Sequence, residues 1–283
     1  MVVRTKSASV SEWKLIKKES SDGVMTYDLS SWSSFFPFLE TEVFHASIKS
    51  RHAYIWRGQR RSDWSISSSL DRLLQKLNFL SAGPKVLEQL SAEHLKSFAY
   101  AARGRRGTNP RKLDLEADAN EWWALGQHFG LATPLVDWTR SPFAAAYFAF
   151  EEVGSEQTRH RVVYGLDRLA VERRRRALGG SPEERRGAAI EFVEPMSDEN
   201  QRLVSQSGLF TKAPILVPVE QWVARAFEGS RAAVLLRIKI PDTARLGCLG
   251  TLNRMNINHL SLFPDLTGAS RSTNLKLELD PQG

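Results

Sequence analysis

The sequence predicts an α+β protein folded as a single domain, with a helical first half and a mixed or antiparallel sheet core. Three observations carry that reading. Apolar residues recur at helical spacing between Trp32 and Phe129, short or alternating apolar runs dominate from Val162 to Ile240, and no long polar linker separates the two regions. With 283 residues, 42% of them apolar and 25% charged, the chain can bury a sizeable core.

Taken in order, residues 1–31 read as a polar N-terminal segment. Between Trp32 and Ile48, the spacing of Phe35, Phe36, Phe38, Leu39, Val43 and Phe44 predicts a helix interrupted early by Pro37. Ala53 to Trp56 is a short strand, which Arg57-Gly58-Gln59 ends. Helices follow over Ser68 to Leu80, with Leu70, Leu73, Leu74 and Leu77 on one face, and over residues 86–102. A basic loop broken by Gly and Pro occupies 103–112, and a third helix, 115–129, stops near Gly130. Pro134 to Thr139 is a buried strand. Ser141-Pro142 starts a helix, because serine accepts from free amides and proline loses no hydrogen bond in the first turn. That helix, Phe143 to Phe150, is apolar on every side and must be buried. Strands are expected at Val162–Leu166, Ala189–Val193, Leu209–Phe210 and Ile215–Val217, with a charged, exposed helix within 168–188. Ala233 to Ile240 alternates as a half-buried strand, Arg245 to Met255 is a helix, and Leu260 to Leu266 closes the core.

The 39 Lys and Arg against 32 Asp and Glu leave a net charge of +7, a field that attracts polyanions or acidic substrates. Its placement matters more than its size. Arg103, Arg105 and Arg106 lie in the first loop, and Arg173, Arg174, Arg175 and Arg176 form an unbroken run. Four consecutive arginines wrap all sides of a helix, so they are a solvated surface or a nucleic-acid contact. No aromatic residue interleaves that run. A single cysteine, Cys248, excludes a disulfide framework and a multi-cysteine metal site, and fits a cytoplasmic protein. No apolar run reaches the roughly 18–20 residues of a membrane span, so no membrane partner is expected. The first residues lack the apolar core of a secretory signal.

Three constellations place polar residues among apolar ones. The first is Trp56-Arg57-Gly58-Gln59, where a guanidinium suited to phosphate or carboxylate adjoins backbone that a ligand can approach. The second runs from Gln127-His128-Phe129-Gly130 to Thr133-Pro134-Leu135-Val136-Asp137-Trp138-Thr139. Its polar groups need partners if buried, and charge makes Asp137 the natural mate of Arg57 or His128. The third is Asn200 to Thr211, in which Arg202 and Gln206 lie four apart and Gly208 ends the turn. The six histidines show no metal-ligand spacing, so no metal is expected. There is no nucleophile-elbow serine and no phosphate-cradling glycine loop.

Together these blocks, with the Ala144-Ala145-Ala146-Tyr147-Phe148-Ala149 helix and the late Phe263-Pro264-Asp265-Leu266-Thr267-Gly268, resemble the FRG family; Trp56 replaces the usual phenylalanine. The resemblance spans residues 32–270, with basic insertions near 103–112 and 166–190 and a tail at 271–283. Its layout is similar to that of ADP-ribosyltransferases. That implies an ADP-ribosyltransferase-like fold, NAD as substrate and a macromolecular target (RNA, DNA or protein). A toxin or anti-phage defence effector is implied, with an antitoxin or immunity protein as partner. By position, Arg57, Asp137, Thr139 and Gln206 would be catalytic, and Arg57, Gly58, Gln59, Gln127, His128, Thr133 and Arg202 would bind NAD. Such enzymes carry a late Glu-x-Glu motif, which this sequence lacks. If Gln206 takes that place, either Asp137 or Glu194 supplies the carboxylate or the catalysis is slow; Asp137 is favoured because it sits among aromatics expected to be buried. The alternative is a non-catalytic or nuclease-like RNA-binding module.

Overall fold

A computed structural model describes residues 15–45, 53–106, 112–153, 159–181, 187–195 and 208–279. Asp22 and Gly23 both take positive φ, 49° and 77°. This is the two-residue turn that Asp-Gly favours, and it joins β1 (Leu15–Ser21) to β2 (Val24–Leu29) as an antiparallel hairpin. The remaining strands are β3 (Tyr54–Gln59), β4 (Leu135–Thr139), β5 (His160–Asp167), β6 (Glu191–Val193), β7 (Gly208–Lys212) and β8 (Leu235–Pro241). They form one sheet in the order β1-β2-β8-β5-β3-β4-β7-β6. Only β2 and β8 run parallel; every other neighbouring pair is antiparallel.

The sheet is therefore mixed, but strands are not confined to the second half. The polar stretch before Trp32 holds the hairpin. Its outer strand is a sheet edge, where Lys18, Glu19 and Ser20 stay exposed and hide the alternation. Its inner strand buries Tyr27 and Leu29 in the same core as the rest of the chain.

The helices are α1 (Phe35–Phe38, continued by a π-helical turn over Leu39–Phe44), α2 (Ser69–Lys76), α3 (Pro84–Ala101), α4 (Ala119–His128) and α5 (Pro142–Phe150). After them come α6 (Arg168–Ala177), α7 (Val219–Ala226), α8 (Arg245–Arg254), α9 (His259–Leu262) and α10 (Leu266–Leu279). Pro37 does not interrupt the first helix. A 3₁₀ turn over Trp32–Ser34 leads into α1, so proline falls near the start, where a missing amide costs little, and the winding changes further on instead. Ser68 caps α2 in a capping box with Asp71, and Ser141 caps α5 by accepting from the Ala144 amide at 3.2 Å. Ile215–Val217 is a turn rather than a strand, with Leu216 at φ 62°. The 270/271 boundary expected from the sequence falls inside α10, which buries Leu275.

One face of the sheet packs on α1, α5 and α8, and the other on α6 and α7. A third core joins α2, α3 and α4 to Leu135, Val193 and Phe210. The two-residue period puts Leu135, Asp137 and Thr139 on one face of β4, between the covering helices.

Candidate functional site

β3 pairs with β5 through six residues and β4 with β7 through five, but β3 and β4 share only the pair Trp56–Thr139. The sheet therefore opens between β3 and β4, and Arg57 stands where the opening begins. Its Nη1 donates to the main-chain oxygen of Asp137 at 2.8 Å, while the nearer Asp137 carboxylate oxygen is 3.9 Å away. The Arg57 side chain is only 21% exposed. Burial lowers its pKa from the ordinary value and Asp137 opposes that shift, yet a guanidinium remains charged. Among the described residues its buried Nε has no hydrogen-bond partner. A confined cation with an unused donor is a site for an anion.

Gly58 explains how the next helix is placed. A Cβ here would stand 1.8 Å from the Ala145 carbonyl oxygen and 2.6 Å from the Ala149 amide nitrogen, so α5 lies directly on β3. The small Ala144, Ala145, Ala146 and Ala149 side chains permit this approach from the helix side. The carbonyls that end α5 meet two arginines. Arg161 Nη1 donates to Ala149 O at 2.6 Å and Glu152 O at 2.8 Å; Arg245 donates to Phe150 O at 3.0 Å and Glu151 O at 2.9 Å. Cations suit the negative end of a helix dipole.

Glu151 directly follows α5, and its side chain is 17% exposed. Burial pushes its carboxyl up to about 7, against the pull of Arg271 and Arg60. Its Oε2 lies 3.4 Å from His259 Nε2, and His259 Nδ1 is hydrogen-bonded to the Tyr147 hydroxyl. Burial and Arg271 lower the His259 pKa. If the Tyr147 hydroxyl donates to Nδ1, the neutral ring carries its proton on Nε2, the nitrogen that faces Glu151.

Two cavities meet at this point. One of about 660 Å³ runs past Gln59, Arg60 and Trp64; the other, of about 320 Å³, runs past Asp137, Thr139 and Phe263. Arg57, Gly58, Phe148 and Glu151 line both. The volumes suit a small-molecule ligand.

The structure thus gathers Arg57, Gly58, Gln59, Asp137 and Thr139 around the opening. Gln59 is buried and donates to Ser65 O at 3.3 Å. Gln127 Nε2 donates to Asp137 Oδ1 at 2.8 Å, and the buried Thr133 hydroxyl donates to Gln127 Oε1, so these two support Asp137 from behind. His128 packs edge-on against Phe129 and lines neither cavity. Arg202 and Gln206 lie outside the described residues. Arg103, Arg105 and Arg106 follow the end of α3, and Arg173, Arg174, Arg175 and Arg176 are on α6, away from the opening.

The electrostatic case for Asp137 is overturned. Val136 and Trp138 are buried, but the strand alternates, so Asp137 between them is 66% exposed and its charge is screened by water. Glu194 is held by Arg140 and Arg168, and Glu191 accepts from Asn120 at 3.2 Å; neither lines the two cavities. The confined carboxyl is Glu151, which sequence reasoning missed. The available signal was an acid placed immediately after an all-apolar helix, at the carbonyl end where the dipole disfavours it. Among the described residues, no group of three or more His, Cys, Asp or Glu could hold a metal ion.

Among the helices described, none is long and apolar enough to cross a membrane. No curated protein and no solved structure matches the chain. The family model that does match covers residues 52–158, the span from just before Arg57 to just after Glu151, and by that match the chain carries an FRG domain.

Proposed function

We propose that the chain is an ADP-ribosyltransferase-like enzyme that cleaves NAD and transfers ADP-ribose to a macromolecule, acting as a toxin or defence effector. One observation supports it above all: a confined cation, Arg57, and a carboxyl poised near neutrality, Glu151, line the same two adjoining cavities. Arg57 would hold the pyrophosphate through its guanidinium, which lines both cavities. Cleavage breaks the bond between the ribose C1′ and the nicotinamide nitrogen, and the electron pair leaves with nicotinamide. The ribose acquires oxocarbenium character, which an ionised Glu151 stabilises. The acceptor's oxygen or nitrogen then bonds to C1′ and gives its proton to Glu151, whose raised pKa suits a general base. Asp137, held by Gln127, keeps β4 and its main-chain acceptor against Arg57.

The test is to incubate the purified chain with NAD labelled in the adenylate part, supply cellular RNA and protein, and follow nicotinamide release and label transfer. Wild type should release nicotinamide, and Arg57→Ala and Glu151→Gln should not. Folded wild type that releases none and transfers no label sinks the reading. Growth arrest on expression, relieved by Arg57→Ala, supports the effector role.

A further inference from the structure

A separate cavity, of about 560 Å³, lies between the end of α3 and the start of α4 and is unlike the two at the Arg57 opening. Lys96, Arg103, Arg106 and Lys112 line it together with Tyr100 and Trp122. The Arg103 guanidinium stacks over the Tyr100 ring at 4.6 Å and that of Arg106 over Trp122 at 4.9 Å. Tyr100 is 55% exposed, an unusual place for a large aromatic side chain. Lys96 has Glu93 of its own helix at 3.9 Å, a weak exposed contact. Cationic groups beside stacked aromatic and guanidinium planes match the two parts of a nucleotide: a phosphate for the charge and a base face for the stack. In a duplex the base faces are hidden, so the complementary ligand is unpaired. The arginine run on α6 is different: Arg173 and Arg174 border a separate hollow in which, among the described residues, Phe227 is the only aromatic.

We propose that this pocket binds an unpaired nucleotide of a single-stranded nucleic acid. Its place in the fold gives the strand a further role. Trp122 lines the pocket, and Gln127, five residues along α4, holds Asp137 at the Arg57 opening. That separation is about 7.5 Å of helix rise. On the transferase reading, a strand held here is the candidate acceptor for the transfer; the binding itself does not rest on that reading.

Fluorescence anisotropy without NAD reads the binding alone, using a short 5′-labelled oligouridylate and its duplex with oligoadenylate. Wild type should bind the single strand at least about tenfold more tightly than the duplex. Tyr100→Ala, which removes a stacking surface, should weaken binding about tenfold. Arg103→Gln should reduce the slope of log affinity against log salt by about 0.7, the share of one single-strand phosphate contact. Because NAD is absent from this assay, a failed transferase reading leaves the binding result standing. Unchanged affinity in both Tyr100→Ala and Arg103→Gln, with the circular dichroism of wild type, overturns the proposal. So does equal competition by oligoglutamate, which carries charge without bases.

Discussion

Arg57 is anchored by the main chain of Asp137 rather than by its carboxylate: Nη1 reaches the carbonyl oxygen at 2.8 Å and the nearer carboxylate oxygen only at 3.9 Å. A main-chain acceptor survives substitution. Asp137→Asn keeps it and replaces a carboxylate that is largely in water. NAD cleavage by Asp137→Asn should stay within about threefold of wild type, whereas Arg57→Ala should lose about 100-fold or more, the cost of losing the clamp that positions the substrate. Nicotinamide release by the two variants, measured side by side, separates an Arg57 site from an Asp137 site.

Glu151 links activity to pH in one direction and stability in the other. Its folded-state pKa of about 7 is above the ordinary 4.5, so the native state holds the proton more tightly than the unfolded chain. Stability is therefore greatest with the carboxyl protonated, and falls as pH rises from about 4.5 through 7. Glu151→Gln removes that fall. It should match wild type near pH 4 and exceed it at pH 8 by up to about 3 kcal/mol, the linkage value of such a shift. Nicotinamide release by wild type should rise with pH and level off above about 7, while Glu151→Gln stays flat and low. Urea unfolding at the two pH values gives the first comparison and a pH–rate profile the second.

This opposition shows why parts of the molecule were legible and parts were not. The apolar α5, its Ser141 cap and the strand with Trp138 follow from local pattern, and local pattern reveals them. Arg57-Gly58 stood out because a charge and a glycine interrupt an apolar strand. The hairpin is hidden from the apolar pattern because an edge strand tolerates polar residues on both faces, although Asp22-Gly23 marks its turn. Glu151 escaped for a different reason. Its environment comes from His259, Arg271 and Arg60, far apart in the chain, and no spacing records that meeting. The opening between β3 and β4 is likewise a property of register.

Gly58 offers a steric test of the same arrangement. Its would-be Cβ meets backbone atoms of α5 at 1.8 and 2.6 Å, and backbone cannot swing aside as a side-chain tip can. Gly58→Ala should lift α5 from β3 and cost at least about 3 kcal/mol, the upper range for overpacking. Gly104, with open space around its Cβ position but φ 73°, should cost only about 1 kcal/mol as alanine, from backbone strain alone. Comparable destabilisation of both variants in urea would argue against direct α5–β3 contact.

Arg161 tests whether the end of α5 is what sets Glu151. The side chain is fully buried, pairs with Asp242, and donates to two carbonyls at the end of the helix. Its guanidinium also lies 5.4 Å from the Phe150 ring. Arg161→Met strands the Asp242 carboxylate, 30% exposed, and two carbonyls, and should cost about 3–5 kcal/mol. Arg161→Lys keeps the charge but lacks the planar fork that reaches all three acceptors, so it should recover only part of that loss. In the variant that remains folded, α5 loses a fixed end and the Glu151 carboxyl moves toward water. The midpoint of its pH–rate profile should then fall below about 7, toward the ordinary carboxylate range, with Arg57 untouched. A midpoint that stays at about 7 in folded Arg161→Lys would show that His259 and the cavity walls, rather than the capped helix end, hold Glu151 in place.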